Sequence, residues 1–246
     1  MVPSSTPSPF GIVVLAIGLF VSLVSLRHVW RSSALLRATA VSRIDGSPDG
    51  SLVRLSGTVE AGADTLDAPF SGVDCVALRS TVEERRFGAF LLPTYVTIDD
   101  PARSVAFAVR TPHAAIPVAA PLRTVVLDSA VVATVGPTES PPDRIAQYER
   151  ETDGLPHETV FRSPPAVVAP LARALSLGAR RYSEQRASPG DEVTVVGSVV
   201  DDGVDPLVVA DGTPTRALVR SSKTSLAGLS IGGFALVVGV WLVLVG

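Results

Sequence analysis

One cysteine, one lysine and three histidines stand among 246 residues, and each scarcity removes a class of chemistry. The single Cys75 excludes any internal disulfide, which agrees with a reducing compartment. The histidines, His28, His113 and His157, have no Cys or carboxylate at ligand spacing, so no metal site is expected. His28 reads as an interfacial residue, whereas His113 and His157 each follow a proline and read as surface turn residues. No Gly-x-Ser-x-Gly elbow, phosphate loop, dinucleotide fingerprint or His-Glu-x-x-His helix occurs. The formal net charge is only −3, so no basic surface recommends nucleic acid as a partner. No catalytic residue, cofactor or metal ligand is therefore expected.

Apolar runs are abundant. Phe10 to Leu26 carries no charge, and it reaches about 31 Å if Arg27 and His28 snorkel and Trp30 sits at headgroup level. Leu226 to Gly246 is a second uncharged run, with Trp241 near its end. The expectation is two transmembrane helices, 10–30 and 226–246, flanking a mainly-β domain and contacting the lipid bilayer. An outer tail covers 1–9, a juxtamembrane linker 31–50 and the domain 51–223. A signal peptide is the rival for the first run, since Ala38, Thr39 and Ala40 offer a small-residue cleavage pattern. Met1 to Pro9 lacks the basic residue such a peptide wants, and the apolar stretch is too long for one.

Arg27, Arg31, Arg37 and Arg43 follow the first run, Arg216, Arg220 and Lys223 precede the second, and neither tail has a Lys or Arg. Cationic loops stay in the cytoplasm, so the expected placement is a multi-pass cell-membrane protein with both termini outside and the domain cytoplasmic. Gly228, Gly232, Ala235 and Gly239 share one helical face, as do Gly11, Gly18, Ser22 and Ser25. Such small-residue faces let helices pack on each other or on another copy, which allows a homo-oligomer.

Between the runs the pattern is mostly strand. Leu52–Val59 alternates around Gly57, and Val73–Arg86 is rich in Val, Leu and Thr. Shorter β-branched runs follow at Tyr95–Ile98, Ser104–Arg110, Leu122–Leu127 and Val131–Val135, then at Arg181–Arg186, Glu192–Val200 and Pro206–Ala210. Short strands at this spacing suit a small β-barrel or sandwich. A short helix is predicted after Ser140, Pro141 and Pro142, through Ile145, Tyr148 and Glu149, ending by Gly154. The stretches Val53–Val59 and Val193–Val199 echo each other, with glycine at the same place, where a missing side chain permits a sharp bend. Duplicated half-barrels and a chance likeness of valine-rich strands both account for that echo.

Individual polar residues read mostly as structural. Cys75 lies in an apolar strand and behaves as a small hydrophobe. Asp99-Asp100-Pro101 and Asp201-Asp202-Gly203 read as tight turns, and Glu83-Glu84-Arg85-Arg86 as a solvated strand end. Val168, Leu171, Leu175 and Tyr182 fall on one helical face, with Arg173, Arg180 and Arg181 able to meet anionic headgroups. Pro170 and Gly178 weaken that helix and favour a core segment leading into the next strand.

Six stretches carry a family resemblance. Arg54-Leu55-Ser56-Gly57-Thr58-Val59-Glu60, Leu66 through Ala77, and Val82-Glu83-Glu84-Arg85 resemble the start of a GIDE-type, or beside-a-membrane, domain. Arg180 through Arg186, Pro189 through Val193 and Val195 through Val199 resemble its closing half. The resemblance implies a domain between two membrane helices. In eukaryotic relatives a zinc-binding RING of a ubiquitin ligase follows, and a RING needs about eight Cys and His ligands. One Cys and three His cannot supply them, so ligase chemistry is disfavoured and the likeness is to RING-less prokaryotic, especially haloarchaeal, members. An almost exclusive use of Arg over Lys agrees with a GC-rich, salt-adapted source. What the resemblance implies is recognition of an unknown protein partner or of a membrane surface, without catalysis.

Overall fold

The computed structural model describes residues 9–32, 38–88, 92–120, 122, 124–156, 158–211 and 230–243, without the side chains of 9, 10 and 27–32. Helix α1 (Pro9–Ser32) leads into β1 (Thr39–Ala40), β2 (Leu52–Ala61), β3 (Leu66–Asp67), β4 (Asp74–Cys75) and β5 (Ala77–Phe87). Then come β6 (Pro93–Asp99), β7 (Ala102–Ser104), β8 (Phe107–Arg110), β9 (Ala115–Val118), β10 (Val125–Val126) and β11 (Ser129–Val135). Helices α2 (Asp143–Glu151) and α3 (Ala169–Ala174) precede β12 (Arg180–Ala187), β13 (Glu192–Val200) and β14 (Gly203–Asp211), and α4 covers 230–243. Two compact units result: one holds α1 and α4, and the other begins at Thr39 and holds everything between.

The larger unit is mostly β and contains a five-stranded barrel. Its order is β2-β13-β14-β9-β8, closed by pairing of β8 back onto β2. Val53, Leu55 and Val59 alternate inward along β2, and Val193, Val195 and Val199 do so along β13, filling one core with Phe107, Val109, Ile116 and Val209. The two echoed strands are neighbours, antiparallel, with Gly57 opposite Val193 and Val53 opposite Gly197. Each glycine sits where backbone passes too close for a side chain. A Cβ at Gly57 would lie 2.2 Å from the Arg110 carbonyl oxygen of β8, and one at Gly197 2.3 Å from that of Asp205 beside a β-bulge.

Strands β5 and β12 form the middle of a second sheet, ordered β11-β12-β5-β6, with β7 also on β5. One face is covered by α2 through a core of Phe70, Val82, Val135, Ile145, Leu155 and Tyr182. The Phe70 ring meets Tyr148 and Tyr182 edge-on, at centroid distances of 5.0 and 5.4 Å. Glu184 on β12 is buried and holds the turn between β3 and β4, accepting the Phe70 and Ser71 amides at 2.7 and 3.1 Å.

The smaller unit is an antiparallel helix pair joined by the expected small-residue faces. A Cβ at Gly18 would lie 2.8 Å from the Leu236 nitrogen, one at Gly232 2.6 Å from Ser22 Oγ, and one at Gly239 2.7 Å from the Leu15 nitrogen. Gly11 and Ser25 are buried along the same seam, while Phe20, Leu23, Phe234 and Val237 face outward. Gly228 and the basic residues Arg37, Arg216, Arg220 and Lys223 lie outside the described residues.

The expected membrane spans need correction. Among the described residues no helix is long and apolar enough to cross a membrane. Within the described residues the uncharged part of α1, Phe10 to Leu26, extends about 26 Å and the described part of α4, 230–243, about 21 Å, against a hydrocarbon core of about 30 Å. Transmembrane helices at 10–30 and 226–246 are therefore not shown. The multi-pass cell-membrane placement, with termini outside and the domain cytoplasmic, is withdrawn with them.

Candidate functional site

The starts of β12 and the end of β5 run side by side, with Arg180 opposite Glu84. Both side chains are within 1% of fully buried. Arg180 donates from Nε to Glu84 Oε2 at 3.3 Å and from Nη1 to Glu149 Oε1 of α2 at 2.5 Å, and Nη2 reaches the Pro156 carbonyl. Glu84 also accepts from Arg86 at 2.8 Å and from the Thr159 hydroxyl at 2.9 Å. Glu149 accepts the Tyr182 hydroxyl at 2.5 Å and pairs with Arg162 at 3.6 Å. The cluster thus ties the long segment between α2 and β12 to the sheet beneath it.

Charge balance keeps Glu149 and Arg180 ionised. Burial alone would raise the Glu149 carboxyl, but hydrogen bonds from Tyr182 and Arg180, with the Arg180 and Arg162 charges, outweigh it and hold the carboxyl below its usual value. Burial opposes the Arg180 charge, and Glu149 more than compensates, so that guanidinium is held above its usual value. Burial and the Glu149 hydrogen bond push the Tyr182 phenol well up. Carboxylates this fully bonded serve as structural ties. The sequence pattern placed Glu84 at a solvated strand end, and its partners Thr159 and Arg180 lie 75 and 96 positions away along the chain.

Above the cluster the same segment forms an apolar cleft of about 150 Å³. Its walls include Phe87, Phe161, Pro164 and Leu177, with Val168 and Leu171 at the opening. Phe87 and Phe161 pack edge-on at 6.4 Å, and the Arg86 guanidinium lies 5.9 Å from the centre of the Phe161 ring. Gly178 makes the close approach possible: its φ is +80°, and a Cβ there would stand 2.5 Å from the Phe161 carbonyl oxygen. Its amide and that of Arg85 close reciprocal 2.8 Å bonds, Gly178 N–H to the Arg85 carbonyl and Arg85 N–H to the Ala179 carbonyl.

Around the opening, large apolar side chains remain in solvent. Val167 is 92% exposed, Val160 71% and Leu171 56%, and Leu92, just beyond the hairpin arm carrying Phe87, is 66% exposed. Val160, Val168 and Leu171 line the cleft itself, and Val167 adjoins Val168 in the chain. The helical face weighed here is only partly present, and the favoured core segment leaves Val168 and Leu171 exposed. Helix α3 ends at Ala174, Val168 and Leu171 are exposed, and Tyr182 and Arg180 lie buried in β12. Arg181 pairs with Glu83 at 2.8 Å and covers the Tyr95 ring at 4.2 Å, leaving Arg173 as the cation beside the apolar group.

Other polar sites are satisfied internally. A larger polar cleft of about 460 Å³ lies between α2 and the β3–β4 hairpin, where Arg144 is bonded to Asp67 at 3.1 Å. Asp99 accepts the Tyr148 hydroxyl at 2.5 Å, and Asp100 pairs with Arg79, so this turn braces the second sheet. Cys75 is buried, donates to the Leu66 carbonyl at 3.5 Å, and has its thiol pushed up to about 11, chiefly by burial. His113 is an exposed turn residue, His157 lies outside the described residues, and the His28 side chain is likewise undescribed. Among the described residues no group of His, Cys, Asp or Glu is placed to hold a metal ion.

No protein-family model, curated protein or solved structure matches the chain. The GIDE-domain and ubiquitin-ligase descriptions suggested by Arg54 through Glu60 and the clusters after it therefore have no family or relative behind them and are not carried further.

Proposed function

We propose that this chain is a non-catalytic interaction protein whose β domain docks a partner protein at the apolar cleft beside α3. The observation that carries this reading is the exposure of Val160, Val167 and Leu171 around an apolar cleft whose neighbouring carboxylates, Glu84 and Glu149, are already bonded. A partner side chain entering that cleft removes apolar surface from water at about 25 cal/mol per Å² and meets aromatic walls, the arrangement expected of an anchor.

Affinity capture with the full chain tests it. A partner retained by the parent should be lost with Leu171→Asp and kept with Val200→Asp, a change at an exposed barrel valine. A partner kept by both variants would move the docking surface elsewhere. Turnover by the purified protein that disappears on changing a polar residue of the domain would replace the non-catalytic reading altogether.

The outward Phe20, Leu23, Phe234 and Val237 of the helix pair offer a second apolar surface, and lipid is the cover that their chemistry fits. Partition of the full chain onto neutral vesicles tests this, and a chain that stays in the aqueous phase would refute it.

A further inference from the structure

We infer that residues 158–178 form a strap that lifts off the second sheet as one unit while the rest of the domain stays folded. Its fastening to the body is sparse. Within it only Ala172, Leu177 and Gly178 are buried. Among the described residues its backbone hydrogen bonds close on the strap itself, apart from Gly178 donating to the Arg85 carbonyl at the far end. Helix α3 has six residues, too few to stay helical without tertiary support. A segment with few buried apolar contacts and locally closed hydrogen bonds opens at lower cost than the sheet on which it rests.

The ion cluster is arranged so that the strap can leave it. Glu84 takes one side-chain partner from the strap, the Thr159 hydroxyl at 2.9 Å, and Glu149 takes one, Arg162 at 3.6 Å. With both withdrawn, Glu84 keeps Arg180 and Arg86, and Glu149 keeps Arg180 and the Tyr182 hydroxyl. No carboxylate is left buried without a cation, so the heavy cost of breaking a buried pair from one side does not arise. Opening costs instead the Phe87–Phe161 contact and the packing of Ala172 and Leu177. At the far end Ser176 has a φ of +51° and Gly178 one of +80°. A serine held in the left-handed region stores backbone strain, which marks this bend as the hinge. Because Phe161, Leu171 and Leu177 belong to the strap and Phe87 to the sheet, the apolar cleft exists only while the strap is closed.

Native-state hydrogen exchange of the full chain in rising urea tests this. The bonded amides of Ser163, Ala172 and Leu177 should exchange at least about a hundredfold faster than those of 181–184 on β12 and 194–197 on β13, and share one shallow dependence on urea. Thr159→Val combined with Arg162→Gln removes the strap's side of both cluster contacts. It should speed the three strap amides about fivefold or more and leave the two strands at the parent rate. Gly178→Ala puts a Cβ 2.5 Å from the Phe161 carbonyl oxygen in the closed strap, so it should speed them further. Strap amides that share the free energy and urea slope of β12 would show that the strap parts only when the domain unfolds, which overturns the inference. Three unrelated slopes would mean separate fraying and overturn it as well. Parent rates in both variants would remove the cluster and the hinge from the opening, and the strap with them.

Discussion

Arg180 at the start of β12 and Glu149 on α2 meet at 2.5 Å under the segment that carries the apolar cleft. The same guanidinium reaches Glu84 and the Pro156 carbonyl, so one side chain joins sheet, helix and loop. The cleft's walls are therefore positioned from below by charge and from above by the Phe87–Phe161 contact.

Removing that guanidinium leaves two carboxylates without their common partner. Arg180→Met should destabilise the protein by about 3–5 kcal/mol, because breaking a buried ion pair from one side costs far more than the intact pair contributes. Arg79→Ala, at a pair about a third exposed, should cost about 1 kcal/mol or less. Urea unfolding compares them. Similar losses would mean that the Arg180 cluster is not the tie described.

Acid should loosen the same tie. The folded Glu149 carboxyl lies below its usual value, so its contribution is present above the unfolded value and is lost as pH falls through the folded one. The melting temperature should fall between about pH 5 and pH 3, and less steeply in Glu149→Gln, which starts lower. Equal slopes for parent and variant would remove Glu149 from the acid response.

Local pattern made much of the barrel legible. The alternation in Leu52–Val59 and Glu192–Val200 announced β2 and β13, and the second has the expected bounds. Ser140 through Pro142 announced α2. β9 was missed because Pro117 interrupts a four-residue strand, and β3 because two residues carry no periodicity. The small-residue faces of α1 and α4 were readable, since spacing alone brings them together. Helix α1, Pro9–Ser32, covers the expected 10–30, whereas only 230–243 of the expected 226–246 lie among the described residues. Burial of Glu84 and exposure of Val167 were not legible, because both depend on contacts between segments far apart in sequence.

Barrel closure should be sensitive at Gly57. A methyl group there meets the Arg110 carbonyl 2.2 Å away, so β2 and β8 must separate and lose ladder bonds. Gly57→Ala should cost about 1–3 kcal/mol, the range for forced overpacking. Gly154→Ala, with nothing within 4 Å, should change stability by less than about 0.5 kcal/mol. Denaturation midpoints of the two variants decide the matter, and equal midpoints would show that the close approach relaxes freely.

The helix pair makes the last prediction. Its seam is a backbone contact: Gly232 lies against Ser22, Gly18 against Leu236, and Gly239 against Leu15, each too close for a side chain. Gly232→Leu inserts four carbons at 2.6 Å from Ser22 Oγ, so the helices must part along their length. Loss of association should be about 1–2 kcal/mol, on the scale measured for close helix contacts. Val237 faces outward at 69% exposure, so Val237→Ala removes surface without touching the seam. Hydrogen exchange of the full chain separates the variants. Amides of 15–26 and 232–243 should exchange about five- to thirtyfold faster in Gly232→Leu, the factor that this energy implies, and at the parent rate in Val237→Ala. Parent-like exchange in both would mean that the helices hold together without the glycine contact.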